Sequence, residues 1–155
     1  MKFVECDGTH FGLQDHFAST PQEWIPFYRK MYENCTTVTS NLEIVHLPES
    51  DEDLSFFENV RDVHGYVLIA SNRVSRLPLT SLRVIRGRGL FKWWVQSSLP
   101  PHNYSFFVAN NAMNPAVGLR DLELPNLMGK LHLDWLCTGS FRLLLCNIVY
   151  SICSK

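Results

Sequence analysis

Short apolar runs return along this chain at an interval that few folds accommodate. Asn41 to Val45, Gly65 to Ile69, Leu82 to Arg86, Tyr104 to Val108 and Gly129 to Leu133 each read as a strand bounded by turn residues. Asn41 to Gly65 is 24 residues and Tyr104 to Gly129 is 25, while Gly65 to Tyr104 is 39, one such step plus an insertion. A strand recurring every ~20–30 residues marks a coil whose turns stack, each burying its neighbour's apolar face. Leu77 to Leu82 and Leu119 to Leu127 are leucine-rich connectors suited to the inner side of such a coil. Asn72, Gly87, Asn110, Asn111 and Asn126 fall at run ends, where Asn and Gly tolerate left-handed backbone and can bond the turn above. The pattern predicts Leu42, Ile44, Val67, Ile69, Phe106 and Val108 stacked inward in layers. Tyr66, Leu68 and Phe107 then point outward or toward a flanking sheet.

A helix is expected before the strands begin. Thr20 reads as its N-cap, with Pro21 at the first helical position and Glu23 three residues after the cap. Trp24, Phe27, Tyr28, Met31 and Tyr32 then supply an apolar face for the core. Pro26 would kink or split that helix.

At 155 residues the chain is one domain's worth, and 46% hydrophobic against 19% charged residues suits a packed core. A net charge of −1 supplies no global field to recruit nucleic acid or an anionic membrane. Five cysteines (6, 35, 137, 146, 153) form no CxxC pair, and the six histidines lack metal-ligand spacing, so neither a metal nor another cofactor is expected. The odd count leaves at least one thiol free, intermolecular or outside the native fold. Two sequons, at Asn34 and Asn103, would be glycan acceptors in a secreted protein. No apolar leader precedes Cys6, and the run Leu143 to Cys153 is too short to span a membrane.

The stretch from Asp53 to Asn72, with Phe56-Phe57 and Gly65-Tyr-Val-Leu-Ile-Ala70, resembles the first receptor L domain of the epidermal growth factor receptor family. Arg76 to Gly87 continues the resemblance in register. Cys6 to Thr9, Asp15 to Phe17, Asn34-Cys35, Asn41 to Ile44, Asn103-Tyr104, Gly118-Leu119 and Pro125 to Met128 extend it over about residues 3–128. It implies a mainly β fold with a capping helix, a right-handed β-helix or leucine-rich-repeat-like solenoid, with a Cys6–Cys35 disulfide. It also implies an extracellular domain of a receptor tyrosine kinase whose kinase region lies outside this chain, so no catalytic residues are expected here. The implied partners are an epidermal-growth-factor-like protein and other receptor chains, with a membrane reached only through the rest of a parent receptor. The ligand face it points to carries His46, Ser71, Ala109 and Asn110, with Leu13 near the lead strand as a further candidate.

Three segments depart from the pattern. The chain is longer around Pro21 to Phe27, Lys92 to His102 looks inserted, and residues 129–155 diverge. That last segment is expected to be a divergent or truncated tail that packs poorly and promotes aggregation through Leu143 to Cys153. A secreted decoy and a non-binding fragment are the alternative readings within the family. From another class, Arg83, Arg86, Arg88 and Lys92 interleave with Phe91, Trp93 and Trp94, a composition found in membrane-surface and nucleic-acid patches.

Overall fold

The computed structural model describes residues 3–13, 20–93, 100–109, 111 and 121–128. In chain order these form β1 (Glu5–Cys6), α1 (Trp24–Tyr32), β2 (Thr37–Val38), β3 (Leu42–Val45), β4 (Asp62–Val63), β5 (Val67–Ala70) and β6 (Arg76–Pro78). There follow β7 (Val84–Ile85), β8 (Phe91–Trp93), β9 (His102–Tyr104), β10 (Phe106–Ala109) and β11 (Asp121–Glu123). Short 3-10 turns at Pro21–Glu23 and Ser55–Phe57 flank them. The fold is mainly β with one α-helix among the described residues.

Three sheets are parallel throughout: β1-β2-β4-β7, β10-β5-β3 and β11-β6. Leu42, Val67 and Phe106 lie in one register row, and Ile44, Ile69 and Val108 in the next but one. All but the half-buried Phe106 are buried, as the period-2 reading expects. Burying each such side chain contributes roughly 1.5–3 kcal/mol. The connector leucines Leu77, Leu79, Leu82, Leu122 and Leu124 are also buried, and Leu77 pairs in register with Leu122. Leu82 to Arg86 is not a further member of the β10-β5-β3 series. Its Val84–Ile85 core instead extends the sheet begun by β1. Main-chain bonds of 2.9 Å run from Thr36 N to Val4 O, Arg61 N to Thr36 O, Arg83 N to Arg61 O and Met128 N to Arg83 O, forming a column across the domain.

The intervening row, Glu43–Leu68–Phe107, is covered rather than outward-facing: Glu43 and Leu68 are fully buried and Phe107 nearly so. The segment that looked inserted supplies part of the cover. Its ends pair as the antiparallel hairpin β8–β9, and Phe91, Trp93 and Tyr104 bring their rings within 5.0–5.5 Å of Phe107. Residues 94–99 of that segment lie outside the described residues, as do 129–155, including the expected strand Gly129 to Leu133 and the tail.

The helix begins later than the capping pattern suggests. Thr20 to Glu23 form a 3-10 turn in which Glu23 N donates to Thr20 O at 3.1 Å, and α1 proper starts at Trp24. Pro26 does not split α1, because it falls in the first helical turn, where an N–H has no intrahelical acceptor to lose. Trp24, Ile25, Tyr28 and Tyr32 face the core. Asn34, just past the helix, takes a left-handed φ of 64°. Cys35 is bridged to Cys6 with Cα atoms 5.9 Å apart, which ties β1 to the entry of β2. A loop of 29 positions makes such a bridge worth on the order of 3–4 kcal/mol in a chain-entropy account. Gly65 is required where it stands, since a Cβ there would sit 2.0 Å from Asn41 Oδ1. That oxygen accepts the Tyr66 N–H at 3.2 Å and stitches the entry of β5 to the entry of β3.

Candidate ligand-binding face

The expected face lies at the ends of β3, β5 and β10, and a buried asparagine arranges it. Asn72, fully buried, accepts from Leu47 N at 3.1 Å and donates to Ile44 O at 2.8 Å, so it clamps both sides of the bend after β3. Asn111 repeats the device one strand on. Its Oδ1 accepts from Asn72 N and Nδ2 at 3.1 and 2.9 Å, and its Nδ2 donates to Ile69 O at 2.9 Å. Buried polar groups are retained when every partner is present, and here each side-chain bond replaces one that a plain bend would leave unmade.

With the bends fixed, His46 and Ser71 come into equivalent positions on neighbouring strands. Each has φ 58°, a left-handed conformation that non-glycine residues rarely adopt and that turns the chain out of the sheet. His46 N donates to Ala70 O and Ser71 N to Ala109 O, both at 3.3 Å. Both residues are half-buried, and the His46 ring lies 5.7 Å from that of Trp24, so α1 walls one side. Ala109 is half-buried in the row of Val45 and Ala70, one position before His46 and Ser71. Asn110, the next residue, lies outside the described residues.

Leu13 is half-buried on the lead segment and packs against the core margin. Sequence reasoning overlooked what holds that segment. The Glu43 carboxylate accepts Phe11 N–H at 2.7 Å, Gly12 N–H at 3.0 Å and the Tyr66 hydroxyl. A carboxylate at zero exposure is tolerable only with such partners. Burial, and then the bond to Glu43, raise the Tyr66 phenol above its ordinary pKa. The only sequence signal was one acidic residue inside Leu42-Glu-Ile-Val45, which period-2 alternation assigns to solvent.

The basic-aromatic stretch is divided by the fold. Phe91 is buried and Trp93 half-buried against Phe107, whereas Arg83, Arg88 and Lys92 are exposed and Arg86 is paired with Asp62. Trp94 lies outside the described residues. Of the sequon residues, Asn34 and Asn103 are both exposed. Among the described residues no three His, Cys, Asp or Glu side chains gather as a metal site, and no helix is long and apolar enough to cross a membrane. Open clefts along Ser50 to Ser55 and beside Arg61 and Arg83 share no residue with the His46–Ser71 row.

Comparison with known proteins converges on one family. The receptor L domain matches residues 34–137. The epidermal growth factor receptor of Gallus gallus is 36% identical over 129 residues, covering 79% of this chain and 16% of that protein. The receptor tyrosine-protein kinase erbB-4 of Homo sapiens is 42% identical over 123 residues, covering 79% and 8%. The melanoma receptor tyrosine-protein kinase of Xiphophorus maculatus is 42% identical over 106 residues, covering 64% and 8%. The chain therefore spans at most 16% of the length of these relatives. With its parallel sheets, its helix α1 and its Cys6–Cys35 bridge, this chain belongs to the receptor L domain family, in the form found in receptors of the epidermal growth factor receptor type.

Proposed function

We propose that this chain is an extracellular growth-factor-binding L domain, acting by recognition and not by catalysis. The observation that carries the reading is the alignment of His46 and Ser71 in matched left-handed conformations on adjacent strands, with Ala109 at the end of the third. Strand ends held by buried asparagines give a rigid, partly apolar surface with polar neighbours, which is what protein recognition requires. Leu13 and Asn110 complete the proposed face. The parallel sheets, with register steps of 25 residues from Leu42 to Val67 and 39 from Val67 to Phe106, support a right-handed β-helical solenoid. Residues 3–128 form the domain in this reading and 129–155 its divergent tail, with the family match carrying on to residue 137. Asn34 and Asn103 are its candidate glycan acceptors.

The proposed partner is an epidermal-growth-factor-like protein, with other receptor chains as further partners. His46, Ser71 and Ala109 are small or polar for such an interface, and a single L domain lacks the second grip that the family resemblance implies. Losing a linked second site removes an effective-concentration gain of about 10²–10⁴-fold. Binding is therefore expected to be weak, roughly micromolar or poorer. Calorimetric titration of epidermal-growth-factor-like ligands against wild type and Ala109→Arg tests the proposal. Arginine would bury an unpaired charge in the interface, so binding should vanish in the variant. Equal affinity in both would make the face idle and the chain a non-binding fragment.

A further inference from the structure

The sequon Asn34-Cys35-Thr36 is split by the fold. Asn34 is exposed and left-handed, but Cys35 is fully buried in its bridge to Cys6, and Thr36 is 7% exposed. The Thr36 hydroxyl accepts the Val4 N–H at 2.9 Å and donates to the Val4 carbonyl at 3.0 Å. The main-chain N–H groups of Thr36 and Thr37 donate to that same carbonyl at 2.9 and 3.1 Å. Glu5 and Cys6 continue the cover by pairing with Thr37 and Val38. An N-glycan transferase reads Asn-X-Thr, so it must reach the amide of the first residue and the hydroxyl of the third. In the folded domain the first is presented and the third is taken.

We propose that Asn34 is a conditional glycan acceptor, open while Cys6 and Cys35 are thiols and closed once their bridge holds β1 over Thr36. This rests on the extracellular reading only for the compartment in which both reactions meet. In one reaction the Asn34 amide nitrogen bonds to the anomeric carbon of a lipid-diphosphate-linked oligosaccharide and loses a proton. The lipid diphosphate leaves with the electrons of the broken carbon–oxygen bond. In the other, Cys6 and Cys35 together give up two protons and two electrons, which reduce the disulfide of an oxidising protein to a dithiol. Val4 and Cys6 are synthesised before Asn34, so the cover already exists when the acceptor emerges. The two reactions therefore compete for the same short segment, and whichever goes first decides the product. Asn103, exposed on β9 and outside the loop closed by the bridge, is a built-in control.

The test uses the full chain, translated with a cleavable leader into microsomal membranes, with glycan occupancy read peptide by peptide in a mass spectrometer. Cys6→Ser leaves the sequon itself untouched. Occupancy at Asn34 should rise several-fold in that variant, and in wild type under dithiothreitol, while Asn103 stays constant. Purified chain should accept glycan at Asn34 after reduction and refuse it when oxidised. Equal Asn34 occupancy in wild type and Cys6→Ser, transfer to the oxidised chain, absence of glycan in every arm, or a parallel rise at Asn103 would each overturn the proposal. Ligand titration reads the functional proposal separately, so a chain that binds ligand yet shows unchanged occupancy refutes this inference alone.

Discussion

The hydroxyl of Tyr28 holds both main-chain groups of Val45, donating to the carbonyl at 3.2 Å and accepting the N–H at 2.9 Å. Among the described residues β3 is an edge of its sheet and no strand pairs with Val45 on that side, where the helix supplies a side chain. Tyr28→Phe keeps the ring stacked between Trp24 and Tyr32 but strips both partners from a fully buried residue. The expected loss is about 1–3 kcal/mol, read as a lower urea midpoint with unchanged slope. An unchanged midpoint would mean that water replaces the phenol.

Asn72 makes bonds to Leu47, Ile44 and Asn111 from a fully buried position. Asn72→Ala should cost on the order of 3 kcal/mol, because the Leu47 N–H and the Ile44 carbonyl each lose a buried bond and Asn111 loses one of its own. If the bend after β3 also presents the ligand face, the variant should lose ligand affinity under conditions where it remains folded. Affinity equal to wild type would separate the asparagines from recognition.

Glu43 anchors the lead segment through Phe11 and Gly12. In Glu43→Ala the amides of Phe11 and Gly12 should exchange with solvent far faster, with a stability loss of about 1–3 kcal/mol. Slow exchange at both amides in the variant would show that packing around Leu13 holds the segment without the carboxylate.

Burial raises the phenols of Tyr28 and Tyr32 well above their ordinary pKa, and that of Tyr66 rises for the same reason, reinforced by Glu43. The folded chain thus keeps these protons to higher pH than the unfolded chain does. Their contribution is fully present below the unfolded pKa of about 10 and declines above it, by up to about 1.4 kcal/mol per pH unit for each fully buried tyrosine. Urea midpoints should match at about pH 8 and 9 and fall by about pH 11. Removing the Tyr28 hydroxyl should flatten that fall, and an equally steep fall in Tyr28→Phe would rule Tyr28 out as a source.

Periodicity located β3, β5 and β10 because each is a compact apolar run, and the 24-residue step from Asn41 to Gly65 follows from a real contact between them. It misplaced Leu82 to Arg86, since alternation marks a strand without saying which sheet receives it. The β8–β9 hairpin escaped notice because an insertion is visible only as a lengthened step, and the rings it places on Phe107 are contacts between distant residues. Glu43 was illegible for a similar reason: its burial depends on Phe11, Gly12 and Tyr66 arriving together, and no local pattern encodes that. The disulfide was legible through family resemblance alone, and the structure places the two cysteines within bridging distance.

Every pairing in the three parallel sheets joins residues far apart in sequence, from 22 positions between Asp62 and Val84 to 45 between Arg76 and Asp121. No strand of these sheets finds its partner in a nearby hairpin; each must wait for a long connection to be laid down. Loop entropy is spent before any ladder bond returns it, so this topology assembles slowly for its size, on the millisecond-to-second scale of domains dominated by non-local contacts. Among the described residues the β8–β9 hairpin is the exception, with Trp93 and His102 only nine positions apart, so it can form locally and before β10 has been made. A nascent chain would therefore carry a finished aromatic lid before it had completed the sheet that the lid covers.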